Sequence, residues 1–294
     1  MRFTFILVLL VLFSCKDKAN QTQELKKDSR TSSILIETFQ YKKDASPLIS
    51  VHRGGVGLVN YPENCLETIA YVNDSIQAVF EIDIAKTKDG VLVLMHDNTL
   101  ERTTTGTDKL TNYNFEELQS FNLVDDFGNE TAFKIPKFLN VLAWAKTNNA
   151  IVTIDIKPSV DVAEVIDAIR MQQAEDISII ITYDIAQLKK AYQLAPDLLM
   201  SVSARNQKEL DWLLETQIPL TNMLAFTGTK LSDTSLYNNI HKLGIKTMLG
   251  TLGNLDKQAA SKTDSLYLKW DQLGIDIFAT DRPFQAATAL EINK

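Results

Sequence analysis

At 294 residues the chain can form one large domain or two small ones, and its 45% hydrophobic content is enough for a substantial core. A net charge of −7, with no basic stripe, excludes nucleic acid as a default partner. With residues 1–14 and 15–46 set aside, residues 47–294 suit a single α/β barrel, a fold that typically needs about 250 residues.

Residues 1–14 have the build of an export signal. Arg2 supplies positive charge, and Phe3 to Phe13 form an apolar run too short to span a bilayer. No later segment is long and apolar enough to span one either. The run closes on Leu12-Phe13-Ser14-Cys15, which resembles the lipobox of bacterial lipoproteins. That resemblance implies lipidation of Cys15, a membrane partner through the N-terminal lipid, and export to the bacterial cell envelope. The alternative is an ordinary secretory signal with an incidental cysteine. Residues 15–46 are polar and charged and read as a tether, with one amphipathic element at Ile34 to Tyr41. The chain has two cysteines, so lipidation of Cys15 leaves Cys65 without a disulfide partner, as a small packed thiol.

From Leu48 onward, strands are expected near 48–52, 78–84, 91–95, 150–156, 177–182, 198–203, 222–227, 245–250 and 275–280. Helical patterns separate most of them, at Glu63 to Asn73, Phe138 to Lys146, Val160 to Met171, Ile185 to Leu194, Gln207 to Glu215, Asp233 to Leu243 and Leu255 to Leu273. Such alternation predicts a parallel sheet covered on both faces, closed over this length into a barrel. Between Asp83 and Val91 there is no room for a crossover helix, and Thr87-Lys88-Asp89-Gly90 is a turn signal. Those two runs are expected to form an antiparallel hairpin whose turn, near Lys88-Asp89, brings Glu81 roughly opposite His96. Residues 98–137 form one long insertion, expected as a loop subdomain over the barrel mouth.

Two of the three histidines, His52 and His96, lie beside closely spaced carboxylates. Histidine titrates near neutrality and suits acid–base work. Glu81 and Asp83 are two residues apart in an apolar run, which on a strand puts both on one face. Like charges so placed demand a cation or a proton between them. Asp155 and Lys157 share a face at the end of a later strand, and Pro158 stops that strand at the mouth. Hard oxygen donors without cysteine favour one divalent cation, Mg²⁺ or Ca²⁺, over zinc. His241, in the last turn of a helical pattern, reads as a structural histidine, and Trp270 as packing.

The order Val51-His52-Arg53-Gly54-Gly55, Pro62-Glu63-Asn64, Glu81-x-Asp83, Asp89-Gly90, His96-Asp97 and Arg102-Thr103-Thr104-x-Gly106 resembles the glycerophosphodiester phosphodiesterases. The match is dense from Leu48 to Gly106. Later it thins to Ile135-Pro136, Ile154-Asp155-Ile156-Lys157 and Thr280-Asp281-Arg282-Pro283. The resemblance implies a TIM (β/α)8 barrel of the phospholipase-C-like phosphodiesterase type and hydrolysis of a small phosphodiester to glycerol 3-phosphate and an alcohol. It implies His52 and His96 as acid and base in unsettled order, and Glu81, Asp83 and Asp155 as metal ligands. Arg53 and Lys157 are implied as phosphate clamps, with Glu63 in a substrate-binding or orienting role.

Two departures stand out. Relatives commonly carry Glu-x-Lys where this chain has Asp155-x-Lys157, a pattern similar to that of phospholipase-D-type enzymes of the same barrel. Many also carry a Trp-Thr-Val-Asn motif near Thr247-Met248-Leu249-Gly250-Thr251, where this chain has no aromatic residue. An enzyme acting on intact phospholipids and a catalytically silent surface binding lipoprotein are the competing expectations.

Overall fold

A computed structural model describes residues 32–292. In chain order the elements are α1 (Ile34–Thr38), β1 (Leu48–Val51), α2 (Leu66–Ser75), β2 (Ala78–Lys86), β3 (Leu92–Leu94), α3 (Phe115–Leu118), α4 (Phe138–Thr147), β4 (Ile151–Ile156), α5 (Val162–Gln172) and β5 (Ser178–Thr182). There follow α6 (Ile185–Leu194), β6 (Leu199–Ser203), α7 (Gln207–Leu214), β7 (Met223–Phe226), α8 (Thr234–Lys242), β8 (Thr247–Gly250), α9 (Asn254–Lys262), α10 (Leu266–Asp271), β9 (Ile277–Thr280) and α11 (Pro283–Ala289). Eight strands pair in parallel in the order β1-β2-β4-β5-β6-β7-β8-β9, and β1 pairs with both β2 and β9, which closes the barrel. All nine expected strands are present.

The ninth strand is the hairpin partner. β3 pairs antiparallel with β2 through Ile84↔Leu94, Ala85↔Val93 and Lys86↔Leu92, a register that centres the turn on Asp89. The barrel ladder holds β2 as far as Ile84, where it meets Ile156 of β4, so the hairpin grows from the C-terminal end of β2. The insertion follows from it. Leu100, Leu110, Phe115, Leu118, Leu123 and Ile135 pack with Val93, Met95 and Cys65 in a small core of their own. Asp125 and Asp126 stitch that insertion to the loop after β1, by accepting from the Asn60 and Gly57 amides at 2.6 Å each. Cys65 is the packed thiol expected, fully buried, and burial pushes its pKa up to about 12.

Below the site, the barrel interior is apolar: Val79, Ile179, Leu199, Leu224, Met248 and Ile277 form one cluster, which Leu35 and Phe39 of the N-terminal segment join. The expected tether of residues 15–46 therefore ends earlier. Ser33 caps α1, and its hydroxyl donates to the Glu175 carbonyl at 2.8 Å. Leu35 and Phe39 are each 2% exposed, so this stretch plugs the N-terminal end of the barrel. They are the apolar positions of the amphipathic element expected at Ile34 to Tyr41, four residues apart, about one helical turn. The leader, Cys15 and the rest of the tether lie outside the described residues.

Two further boundaries differ. The helix expected from Glu63 begins at Leu66, leaving Pro62-Glu63-Asn64 as a loop with Asn64 at φ 52°. The helix expected over Leu255 to Leu273 is two, α9 and α10, broken at Thr263-Asp264-Ser265. There the Thr263 hydroxyl accepts from the Ser265 amide and Asp264 takes Arg282 at 2.6 Å. Side chains that bond nearby backbone compete with helix, and here they win. The break lets the Tyr267 hydroxyl reach back to Asp256 at 2.7 Å.

Replacing Phe39 with alanine removes a buried aromatic and should cost about 3–5 kcal/mol of stability. A residue in a solvated tether would cost no more than about 0.5 kcal/mol. Urea unfolding of the variant decides between the two.

Candidate active site

At the C-terminal end of the barrel the strand register sets the carboxylates side by side. Asp83 of β2 pairs with Asp155 of β4, and Glu81 lies two residues before Asp83 on the same face. One oxygen from each of Glu81, Asp83 and Asp155 can be chosen so that all three lie within 4.8 Å of one another. Lys157 stands among them, its Nζ 2.6 Å from Asp83 Oδ1 and 2.7 Å from Asp155 Oδ2. Asn64 completes the cradle. Its Nδ2 donates to Asp83 Oδ2 at 2.7 Å, while its Oδ1 accepts from the Asp83 amide at 3.0 Å.

The electrostatics separate the carboxylates. Burial and then the neighbouring Asp83 push the Glu81 carboxyl well above the usual range. Burial works the same way on Asp83, but the Lys157 ammonium and the Asn64 amide outweigh it and hold that carboxyl low. One ammonium thus serves two carboxylates, and Glu81 is left with a backbone donor, the Arg53 amide at 2.7 Å. Three oxygen donors with such a charge deficit fit one hard divalent cation.

The loop that supplies Arg53 is bent for the purpose. Arg53 adopts φ 51°, and Gly54 and Gly55 follow at 70° and 143°. A Cβ on Gly54 would meet Ile69 at 2.7 Å, and one on Gly55 would meet Thr68 at 2.6 Å, so α2 packs directly on the glycine backbone. Arg53 Nη1 reaches Glu63 at 3.0 and 3.2 Å, and its buried Nε lies 3.9 Å from Asp83 with no hydrogen-bond partner among the described residues. Glu63 itself is 3% exposed and takes Arg53 and Arg102 together. At Glu63, expected in a substrate-binding or orienting role, the two guanidiniums take both oxygens of the buried carboxylate.

His52 and His96 line one cavity of about 190 Å³ with the three carboxylates. Each imidazole is held at Nδ1 by a carboxylate, His52 by Asp281 at 2.6 Å and His96 by Asp97 at 2.6 Å, so Nε2 is the ring nitrogen not taken by these carboxylates. The Arg102 guanidinium holds the Asp97 carboxyl down at about 2. Asp281 is in turn supported from below, its amide donating to the buried Asp256 at 2.7 Å. Across the cavity stand Phe226, Met248 and Leu252, so an apolar wall occupies the side where the sequence lacks the aromatic of β8. Trp270 packs edge-on against Tyr267, and His241 bonds Asp276 at 2.8 Å, away from this cavity.

Several residues here carry no role in the sequence reading. Asn64, Asp97, Arg102 and Asp281 all fall inside quoted motifs, and that membership was the available signal, with Asp97 also adjacent to His96. Tyr183 had none. It follows β5, lines the cavity beside Asp155, and burial together with that carboxylate pushes its phenol pKa up.

A closed parallel barrel with a carboxylate cluster and paired histidines at its C-terminal mouth is the architecture of a barrel enzyme. Residues 52–283 match the model of the glycerophosphoryl diester phosphodiesterase family, and the chain belongs to that family. A glycerophosphoryl diester phosphodiesterase structure from Parabacteroides distasonis is 34% identical with a TM-score of 0.83, covering 87% of this chain and 90% of that one. An Oleispira antarctica phosphodiesterase in complex with the product sn-glycerol-3-phosphate shares the fold at a TM-score of 0.68 and 18% identity, with 84% and 97% covered. Human glycerophosphodiester phosphodiesterase 1 is 32% identical over 159 residues, 52% of this chain and 42% of the human protein. The match to the bovine enzyme of the same name spans 32% of its length, so this chain matches less than half of either relative.

The raised Glu81 pKa has a sign that can be measured. Between the ordinary carboxylate range and its raised value the folded state holds the extra proton, so metal-free stability falls as pH rises through that window. In excess chelator, Glu81→Gln should raise the melting temperature by about 2 °C or more at pH 8 and by less at pH 5. An equal shift at both pH values would contradict the assignment.

Proposed function

We propose that the chain hydrolyses glycerophosphodiesters to glycerol 3-phosphate and an alcohol, using a divalent cation, Mg²⁺ or Ca²⁺, and two histidines. The observation that carries this reading is the placement of two carboxylate-locked imidazoles and three clustered carboxylates around one cavity. Glu81, Asp83 and Asp155 hold the cation, which when bound neutralises and polarises the phosphodiester. Arg53, whose Nε makes no hydrogen bond among the described residues, and Lys157 supply positive charge to the nonbridging oxygens. One imidazole Nε2 takes a proton from the attacking water as its oxygen bonds to phosphorus, and the other gives a proton to the departing alkoxide as its P–O bond breaks. Asp281 and Asp97 fix the tautomers and stabilise each imidazolium as it forms.

A cavity of about 190 Å³ suits a small headgroup, and the family match favours glycerophosphodiesters over intact phospholipids. The complete set of histidines, carboxylates and lysine argues against a silent binding protein. On the same reading Cys15 carries lipid and holds the enzyme on the bacterial envelope. Among the described residues no helix is long and apolar enough to cross a membrane.

His52→Ala and His96→Ala should each fold and lose roughly 10²-fold or more in turnover of a glycerophosphodiester, and excess chelator should abolish activity. Near-normal turnover in either variant would remove that histidine from the mechanism. Faster cleavage of acylated than of deacylated substrate would favour the phospholipid reading.

Asp155 gives a finer test of the ligand set. Asp155→Asn should lose activity across a metal titration, since the neutral amide cannot replace the charge. Asp155→Glu should retain part of it at high metal concentration. An Asn variant equal to the parent would make Asp155 a structural partner of Lys157 alone.

A further inference from the structure

The Arg102-Thr103-Thr104-x-Gly106 motif takes no part in the chemistry above, yet Arg102 bridges two halves of the site. Its Nη1 and Nη2 donate to the two Glu63 oxygens at 2.8 Å each, and its Nε donates to Asp97 Oδ2 at 2.6 Å. The other Asp97 oxygen holds His96 Nδ1 at 2.6 Å, and Glu63 also receives Arg53. Hydrogen-bonding nitrogens and carboxylates alternate along the line His96, Asp97, Arg102, Glu63, Arg53. We propose that Arg102 and Glu63 are positioning residues that fix the His96 imidazole and the Arg53 guanidinium against each other, so that proton transfer and phosphate binding share one support.

The burial of Glu63 carries the argument first. At 2% side-chain exposure its carboxylate needs strong compensation, and two guanidiniums provide it from different segments. Freed of Arg102, Glu63 would hold Arg53 alone, and Arg53 would settle deeper on it. At present Arg53 spends only Nη1 on Glu63, and its buried Nε, 3.9 Å from Asp83, makes no hydrogen bond among the described residues.

The motif is also built to hold Arg102 still. The Thr104 hydroxyl donates to the Leu100 carbonyl at 2.8 Å and accepts from the Gly106 amide at 2.9 Å, closing the turn around Arg102. Gly106 has no room for a side chain, since a Cβ there would meet the Phe121 ring at 2.8 Å. Leu100 is fully buried in the insertion core. The insertion therefore anchors a guanidinium that spends Nε on one carboxylate and both terminal nitrogens on another. A lysine offers one point charge and cannot reproduce that geometry.

This inference rests on the roles given above to His96 and Arg53, so one arm of its test needs no turnover. Arg102→Met, Arg102→Lys, Arg53→Met and the double methionine variant are compared with the full chain, thermal melts confirming that each folds. Calorimetry measures binding of glycerol 3-phosphate with Mg²⁺, and kinetics measure kcat and KM on a glycerophosphodiester. Arg102→Met should weaken glycerol 3-phosphate binding and lower kcat, each by about 10-fold or more. Arg102→Lys should stay within about 3-fold of the methionine variant, and the double variant should bind no more than about 3-fold worse than Arg53→Met alone. Unchanged binding in Arg102→Met, rescue by lysine, or losses that multiply in the double variant would overturn the proposal. If Arg102→Met fails to fold, Arg102→Lys decides by the same binding criterion. A parent chain that binds glycerol 3-phosphate yet cleaves no diester would refute the function and leave this comparison standing; one that does neither would refute both.

Discussion

The crowding of Glu81, Asp83 and Asp155 is the constraint on which the rest of the site depends. Two like charges about 4 Å apart repel by roughly 4 kcal/mol at the effective dielectric of a protein surface. Lys157 touches two of the three and cannot balance them all. The barrel pays for this by supplying fixed donors, the Asn64 amide on Asp83 and the Arg53 backbone amide on Glu81, and the residual charge deficit is one that a bound cation would fill. The left-handed Arg53 and the two glycines after it follow from the need to turn that amide toward Glu81 while α2 packs close behind.

The remaining charged groups extend outward from that cluster. Asp281 and Asp97 lock the two imidazoles from opposite ends of the sequence, and Asp256, Tyr267 and Thr280 support Asp281 in a buried network. The hairpin, with β3 paired on the end of β2, carries His96 back into the cavity that Glu81 and Asp83 line. Below these polar layers the barrel is apolar and plugged by Leu35 and Phe39, so the rigidity of the site rests on a packed interior.

Much of this was legible in the sequence because the signals are local. Each barrel strand is an apolar run between turn residues, and a carboxylate pair at i and i+2 shares a face wherever a strand forms. Segments whose structure depends on distant partners were harder to read. Ile34 to Tyr41 reads as amphipathic, but what its apolar face meets, the open end of the barrel that receives Leu35 and Phe39, is set by distant residues. The break at Thr263-Asp264-Ser265 depends on Arg282, and the placement of Glu63 depends on an arginine 39 residues away. Histidine partners followed the same rule: Asp97 is adjacent to His96, but Asp281 lies 229 residues from His52. Tyr183, a single aromatic after a strand, has no pattern to mark it.

The most direct measurement is a crystal soaked with Mn²⁺ and glycerol 3-phosphate, with anomalous scattering used to locate the metal. The account predicts one strong peak about 2.0–2.6 Å from carboxylate oxygens of Glu81, Asp83 and Asp155, with the phosphate completing its shell. Full occupancy of the ligand without a peak there, or a peak held by other residues, would contradict it.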